Sequence, residues 1–343
     1  MTFGRLIYGT NPYLGKHQLV NIGDFFQTFA IDSLLCDYGI APDDLVNVQR
    51  DRIKDYENLV LPMVGVFTHM RGKEAFPLPA SVKPLFFGYH NLSSVSKAEL
   101  LVYQKAGFVG CRDEATANRL KKKGINAYLV GCATLALDAR KQAPKSPKIF
   151  LVDIPPKLER FIPAELKKDA VRLTNEVSLS KKDMPDSLRA YEDQAKKMLE
   201  RYKSEAGLVI TSRLHCAAPC LALGIPVILA REYFDERYSF IDKFLPLYTP
   251  DRFGEIDWSP RVPDLTEVKR MLKTAFFAMV SGSPDTQSAL EALDRFYMQR
   301  DRAPYRTPVK TRVFYFGLRF FPYATTMLRN KWLKRFTVLG KNR

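Results

Sequence analysis

The sequence predicts an α/β protein of two domains, each a parallel sheet flanked by helices. Three observations carry that expectation. Short apolar runs alternate with longer helical stretches along most of the chain, the pattern of parallel strands connected through helices. The 343 residues exceed what one hydrophobic core usually organises. A polar stretch at 138–148, with four Lys or Arg and two prolines, interrupts the alternation near its middle. The expected boundaries are 1–142 for the first domain, 146–300 for the second and 301–343 for a tail.

The elements follow in chain order. Residues 6–9 read as a first strand, and 24–38 as a helix closed by Gly39, which takes the left-handed conformation at low cost. Further strands fall at 45–48, at 59–67, where Pro62 interrupts the run, and at 85–88. Ser96 caps a helix over 96–104. A strand at 108–110 runs into a helix at 113–123, and 128–130 is the next strand. Beyond the linker, 149–152 opens a second alternation: a polar helix at 187–204, a strand at 208–210, a helix ending at Gly224, a strand at 226–230 and an amphipathic helix at 265–280. No internal repeat and no low-complexity tract is present.

Composition narrows the function classes. With 46% hydrophobic and 26% charged residues the chain is neither disordered nor fibrous. No run of 18 apolar residues occurs, so no ordinary membrane-spanning helix is expected. Residues 1–11 lack the basic start and apolar stretch of a signal peptide. Cys36, Cys111, Cys132, Cys216 and Cys220 form no CxxC pair, which suits reduced thiols in the cytoplasm. His17, His69, His90 and His215 show no metal-ligand spacing, so no metal is expected. Neither a nucleophile elbow nor a phosphate-binding P-loop appears.

The net charge of +16 is uneven, because residues 301–343 carry 11 basic residues and one acidic. The same stretch holds nine of the 41 aromatic residues. Basic and aromatic residues together suit an anionic membrane surface or a phosphate-rich polymer. In the tail, 311–321 and 324–339 read as two short helices separated by Pro322, which lie on a membrane surface or fold back on the domains. Nucleic acid is not the expected partner, since the body contains no recognisable nucleic-acid module.

Three segments carry candidate chemistry. In GLVITSRLHCAAPCLALGIPVILA (207–230), an apolar strand delivers Thr211, Ser212, Arg213 and His215 to its carboxyl end. Pro219 suits the first turn of the following helix, whose free N–H groups favour an anion. No Asp or Glu occurs in the segment, so a charge bound there is negative. Cys216 and Cys220 read as small core residues. In Asn21-Ile22-Gly23-Asp24, Gly23 permits close backbone approach, and Asp24 is either a helix cap or a base toward a sugar hydroxyl. In Gly110-Cys111-Arg112-Asp113, Arg112 ends a strand, where it reaches the same cleft or stays a surface cation, and Asp113 caps the next helix. His90, also after a strand, reads as a core or loop residue before a site residue.

Together the segments NIGDFFQTFAI, GCRDEATANRL and TSRLHCAAPCLALGIPVI resemble the N-x-G-D, R-D-x-x-S/T and S-R-L-H motifs of the polysaccharide pyruvyltransferase family. The resemblance covers about residues 5–245, and the last motif is the most specific. Ala133-Thr134 stand where many members have Asp-Pro, and Cys216 where glycine is usual. The resemblance implies two Rossmann-like domains facing across a cleft, as in GT-B glycosyltransferases. It implies transfer of a pyruvyl group from phosphoenolpyruvate to a saccharide acceptor, lipid-linked forms included, closing a ketal without metal or cofactor. Its donor site matches Arg112, Arg213, Leu214 and His215. Arginines beside a helix N-terminus suit a donor with a phosphate and a carboxylate. His215 is the candidate acid, since imidazole titrates near neutrality, and Asp24 the candidate base. The alternative is a GT-B glycosyltransferase using a nucleotide sugar. The lack of a carboxylate between 207 and 230 to hold a ribose weighs against it.

Overall fold

The computed structural model describes residues 2–8, 20–67, 76–91, 95–178 and 187–301. The two tail helices expected at 311–321 and 324–339, and with them His17 and His69, lie outside the described residues. Residues Met1–Tyr305 form one compact unit.

The first half of this unit contains β1 (Thr2–Ile7), β2 (Val20–Asn21), α1 (Phe25–Asp37), β3 (Leu45–Gln49), β4 (Leu59–Val66), β5 (Val82–His90), α2 (Lys97–Ala106), β6 (Val109–Cys111), α3 (Glu114–Lys121) and β7 (Ala127–Leu129). All its strands but β2 make one parallel sheet in the order β3-β1-β4-β5-β6-β7. The second half contains β8 (Lys148–Val152), α4 (Ala164–Lys168), β9 (Ala170–Leu173), β10 (Glu176–Val177), α5 (Ser187–Glu205), β11 (Ala206–Thr211), α6 (Leu214–Ala222), β12 (Val227–Ala230), β13 (Leu247–Tyr248), α7 (Thr266–Ser281) and α8 (Thr286–Gln299). Its sheet runs β13-β12-β11-β8-β9, again parallel throughout. Each sheet places its first strand second from one edge and then grows the other way. That is the doubly wound, Rossmann-like order, with switch points between β1 and β4 and between β8 and β11. Ligands of such sheets bind beyond the carboxyl ends of the strands, and every candidate residue lies there.

Local sequence explains the elements that aim the site. All eight residues of β4 are buried, the continuous apolar run of a strand covered on both faces. Pro62 is tolerated because β4 pairs with β1 only through Leu59 and Val60, so its missing N–H breaks no ladder on that side. The Ser96 hydroxyl accepts from the Glu99 N–H while the Glu99 carboxylate accepts from the Ser96 N–H, a reciprocal cap that starts α2. Gly88, at φ +75°, forms a bulge: Phe87 pairs with Gly110, but Tyr89 pairs with Cys111. The bulge brings His90 level with Arg112 on the neighbouring strand, where the Arg112 N–H continues the ladder to Tyr89 O at 2.8 Å.

Contacts on several sides join the two halves, among them α8, whose Asp294 accepts from the Leu129 N–H at 2.7 Å. β2 and β10, one from each half, pair antiparallel, and the Ile22 N–H donates to Asn175 O at 2.8 Å. Arg5 of β1 is ion-paired to Asp32 of α1 at 2.7 Å and to Glu192 of α5 at 2.8 Å. Tyr202 packs between Phe26 and Phe150, at ring distances of 6.2 and 6.1 Å, within a core shared by both halves.

Candidate active site

His215 owes its position to a proline four residues on. Helix α6 begins at Leu214, so Pro219 sits inside it, not in its first turn as the sequence suggests. A helical proline offers no N–H to the carbonyl four residues earlier, and its ring crowds that carbonyl. That carbonyl belongs to His215, and it is His215 whose backbone leaves helical values, at φ −82° and ψ 21°. The freed carbonyl lies against Gly23, where a Cβ would stand 3.1 Å from both His215 O and His215 Cβ. Glycine at 23 therefore lets the 21–24 segment press onto the start of α6.

That approach puts Asp24 on the imidazole. Asp24 occupies the cap position of α1 but makes no side-chain cap bond, so the helix-cap alternative is not what is observed. Its Oδ1 lies 2.9 Å from His215 Nδ1 and accepts from the Asn21 amide at 3.3 Å. Asn21 does the local capping, accepting from the Gly23 N–H. On the other side of the ring, Arg112 Nη1 stands 3.2 Å from His215 Nε2. A guanidinium only donates, so Nε2 accepts and the ring proton sits on Nδ1, facing Asp24. The result is a line of carboxylate, imidazole and guanidinium drawn from both halves.

The electrostatics of this line are uneven. Burial depresses the His215 pKa, but the hydrogen bond to Asp24 and the contact with Cys132 outweigh burial and carry it above the ordinary histidine value. Burial pushes the Cys132 thiol up, yet His215 and Arg112 reverse that and bring it below its usual range. Arg112 is only 1% exposed and makes no direct ion pair among the described residues, while the Asp113 and Asp24 carboxylates attract its charge from further away. Its Nε is fully buried and has no hydrogen-bond partner among the described residues. Burial lowers its pKa, though a guanidinium remains a cation under all these conditions.

Arg213 is held differently. Its guanidinium pairs with Asp153 at 3.1 Å and with Glu176 at 2.7 Å, and these carboxylates lift its pKa against the effect of burial. Leu214 is buried in the shared core. Arg231, after β12, stacks on Tyr233 and Tyr238 and donates to the Ser212 carbonyl, while Arg237 is paired with Asp235. The structure thus brings Asp24, Arg112 and His215 into direct contact. Arg213 stands beside them with its charge already neutralised.

Sequence reasoning missed several partners. Cys132 lies against His215, and Asp153 and Glu176 lie against Arg213. Asp153 had a legible sign, being the first residue after a strand, and it adopts φ +49°, which aspartate tolerates better than most residues. Glu176 carried no local sign. His90, read as core or loop, is completely buried, with its Nδ1 hydrogen-bonded to Asp113 and to Thr116 Oγ1 at 3.1 Å. Asp113 caps α3 as expected, accepting from the Thr116 N–H at 2.9 Å. Cys216 and Cys220 are buried core residues. Among the described residues no group of three His, Cys, Asp or Glu side chains is placed to hold a metal ion. No described helix is long and apolar enough to cross a membrane.

Two doubly wound sheets bring a carboxylate, an imidazole and a guanidinium together at their strand ends, the place where α/β enzymes of this architecture bind their ligands. The family follows from the sequence: a model of polysaccharide pyruvyl transferases matches residues 47–231, more than half the chain, and the chain belongs to that family. No curated protein matches it. Solved structures resemble it distantly. An uncharacterised protein of Klebsiella pneumoniae aligns at 15% identity and TM-score 0.40, covering 69% of this chain and 88% of that one. MnaA of S. aureus, solved with UDP, aligns at 11% identity and TM-score 0.39, covering 82% and 98%. A UDP-N-acetylglucosamine 2-epimerase aligns at 11% identity and TM-score 0.38, covering 90% and 100%.

Proposed function

We propose that this transferase moves the pyruvyl group of phosphoenolpyruvate onto hydroxyls of a polymeric or lipid-linked saccharide in the cytoplasm, closing a cyclic ketal. The observation that carries the reading is Arg112, a buried guanidinium that makes no direct ion pair among the described residues and leaves its Nε unsatisfied there, touching the imidazole of an Asp–His pair. A buried cation without a directly bonded counter-ion is costly, and an anionic substrate that pairs with it lowers that cost. Phosphoenolpyruvate presents two anionic groups and an enol carbon that must gain a proton.

In this reading the donor's anion takes over Arg112 and releases His215 Nε2. Negative charge beside the ring and Asp24 behind it both favour the imidazolium, which delivers its Nε2 proton to the methylene carbon of the donor. Asp24 is then the orienting partner of the imidazole, fixing its tautomer and stabilising its positive form. Arg213, already paired, steadies the rim of the site and contributes less charge to the donor. Transfer of two sugar oxygens to C2 expels inorganic phosphate.

The test is ligand-linked thermal stabilisation with phosphoenolpyruvate against a panel of nucleotide sugars, followed by incubation with candidate glycans. The expected result is stabilisation by phosphoenolpyruvate, release of phosphate and a pyruvyl ketal in the product mass spectrum. Stabilisation by a nucleotide sugar alone assigns the chain to glycosyl transfer instead.

A further inference from the structure

The transfer described above uses one Asp–His pair, but the strand ends hold two. His90 closes β5 and Asp113 follows β6, and neither side chain has any exposed surface. The His90 Nδ1 proton is committed to Asp113, with Thr116 Oγ1 at 3.1 Å, so Nε2 carries a bare lone pair. That Nε2 is fully buried and has no partner among the described residues. Just beyond the neighbouring strand, level with His90, Arg112 Nε is a buried N–H donor that also has no partner among the described residues. Structural histidines and arginines at full burial are normally satisfied at both ends. Here an unmatched acceptor and an unmatched donor stand at adjacent strand ends, and a hydroxyl, which accepts and donates at once, is the group that satisfies both.

We propose that His90 is the general base of the transfer, its Nε2 receiving the proton of the sugar hydroxyl that attacks the donor. The proposal rests on the pyruvyl-transfer reading. As the hydroxyl oxygen bonds to C2 of the enolpyruvyl group, its proton passes to His90 Nε2, and the C2–C3 π electrons take the Nε2 proton of His215. The products are a phosphorylated ketal precursor, a neutral His215 and a protonated His90. The second sugar hydroxyl then bonds to C2 as the C2–O bond to phosphate breaks, and its proton leaves with the phosphate.

The two imidazoles are tuned for opposite tasks. Asp24 and Cys132 raise His215 against burial. Burial lowers His90, opposed by Asp113 and reinforced by the guanidiniums of Arg112 and Arg237. Paired titratable groups driven apart in this way mark the acid and the base of a site. Arg112 contacts one imidazole and acts electrostatically on the other, so its movement onto a bound anion bears on both.

The experiment compares wild type with His90→Gln, using phosphoenolpyruvate as the probe and an acceptor glycan for turnover. His90→Gln is expected to keep the phosphoenolpyruvate-linked rise in Tm within twofold in apparent affinity while losing at least about 100-fold in kcat. The acidic limb of the wild-type pH profile, set by a histidine facing Asp113, Thr116, Arg112 and Arg237, is expected to vanish from the residual activity. Added imidazole is expected to restore about tenfold to His90→Ala. A folded His90→Gln that keeps a third of wild-type kcat, that loses donor affinity along with turnover, or that retains the acidic limb overturns the proposal, as does a folded His90→Ala that imidazole does not rescue. Should His90→Gln fail to fold, Asp113→Asn, which keeps the helix cap, carries the same expectation of lost turnover with retained donor binding. Wild type that gains nothing from phosphoenolpyruvate breaks the pyruvyl-transfer reading itself and this proposal with it.

Discussion

The two sheets end in arginines that are held in opposite ways. Arg112, after β6, is buried with no carboxylate paired directly to it among the described residues, and its one side-chain hydrogen bond there goes to an imidazole. Arg213, at the end of β11, is 28% exposed on its side chain and sits between two carboxylates. The same residue type at equivalent ends of two sheets of the same strand order therefore carries available charge in one half and cancelled charge in the other. Position at a strand end nominates a residue for a site. What the neighbours have already done with its charge decides what it offers a substrate.

The largest effect expected from that contrast is at Arg112. Arg112→Met is expected to weaken phosphoenolpyruvate binding by about 100- to 1,000-fold, roughly 3–4 kcal/mol. The same change is expected to raise the Tm by a few degrees, because replacing a buried cation that lacks a direct ion pair with an apolar side chain of similar length removes a desolvation cost. A calorimetric titration and a melting curve on one preparation check both. A variant that loses stability along with affinity would show that Arg112 is structural and break the comparison.

A smaller effect is expected at Asp24, which separates proton delivery from anion binding. Asp24 holds the His215 pKa above the ordinary histidine value of about 6.5, so the imidazolium form persists further into the alkaline range. The stability this pair adds is complete below about pH 6.5 and is lost as pH rises through the elevated pKa. Asp24→Asn is expected to move the alkaline limb of kcat toward lower pH, costing about 10- to 100-fold in kcat at pH 8 and much less at pH 6. Donor affinity at pH 6 should change little. A parallel pH profile with uniformly reduced activity would assign Asp24 to backbone placement alone.

The smallest effect sharpens the other half of the contrast. Glu176→Gln removes one of the two carboxylates on Arg213 and keeps the side-chain shape. Releasing part of that charge is expected to tighten donor binding about threefold, roughly 0.7 kcal/mol, and to make binding more salt-sensitive. Weaker binding would mean that the ion pair holds Arg213 in a geometry the donor needs.

Much of the scaffold was legible because it rests on local rules. The alternation of apolar runs and helices located most of the long parallel strands, and the Ser96 and Asp113 caps stand where their spacing places them. The short elements β2, β10 and β13 were not foreseen, since two residues contain no period and form only when a distant partner is present. Helix α8 carries a readable stripe of Leu290, Leu293 and Tyr297, yet strand–helix counting stops at the helix before it. At the site, the strand-end motif identified Arg112, Arg213 and His215, but sequence spacing is blind to pairing. Asp24 looked like a helix cap because that bond is local, whereas the bond it makes spans 191 residues. Pro219 looked like a helix start because prolines favour first turns, whereas its effect falls one turn earlier, on the His215 carbonyl.

The short ladder between β2 and β10 has a consequence for how activity is acquired. It joins Val20 and Asn21 to Glu176 and Val177. Closing so long a loop is entropically expensive until neighbouring packing shares the cost, and contacts of high sequence separation form slowly. Each sheet is wound from strands close together in the chain and has the means to form early. His215, Asp24 and Arg112 meet only after the halves have docked and this ladder has closed. During synthesis Asp24 emerges long before its imidazole partner exists. Recovery of activity on refolding is therefore a clock for the last docking step, lagging behind the secondary structure seen by circular dichroism.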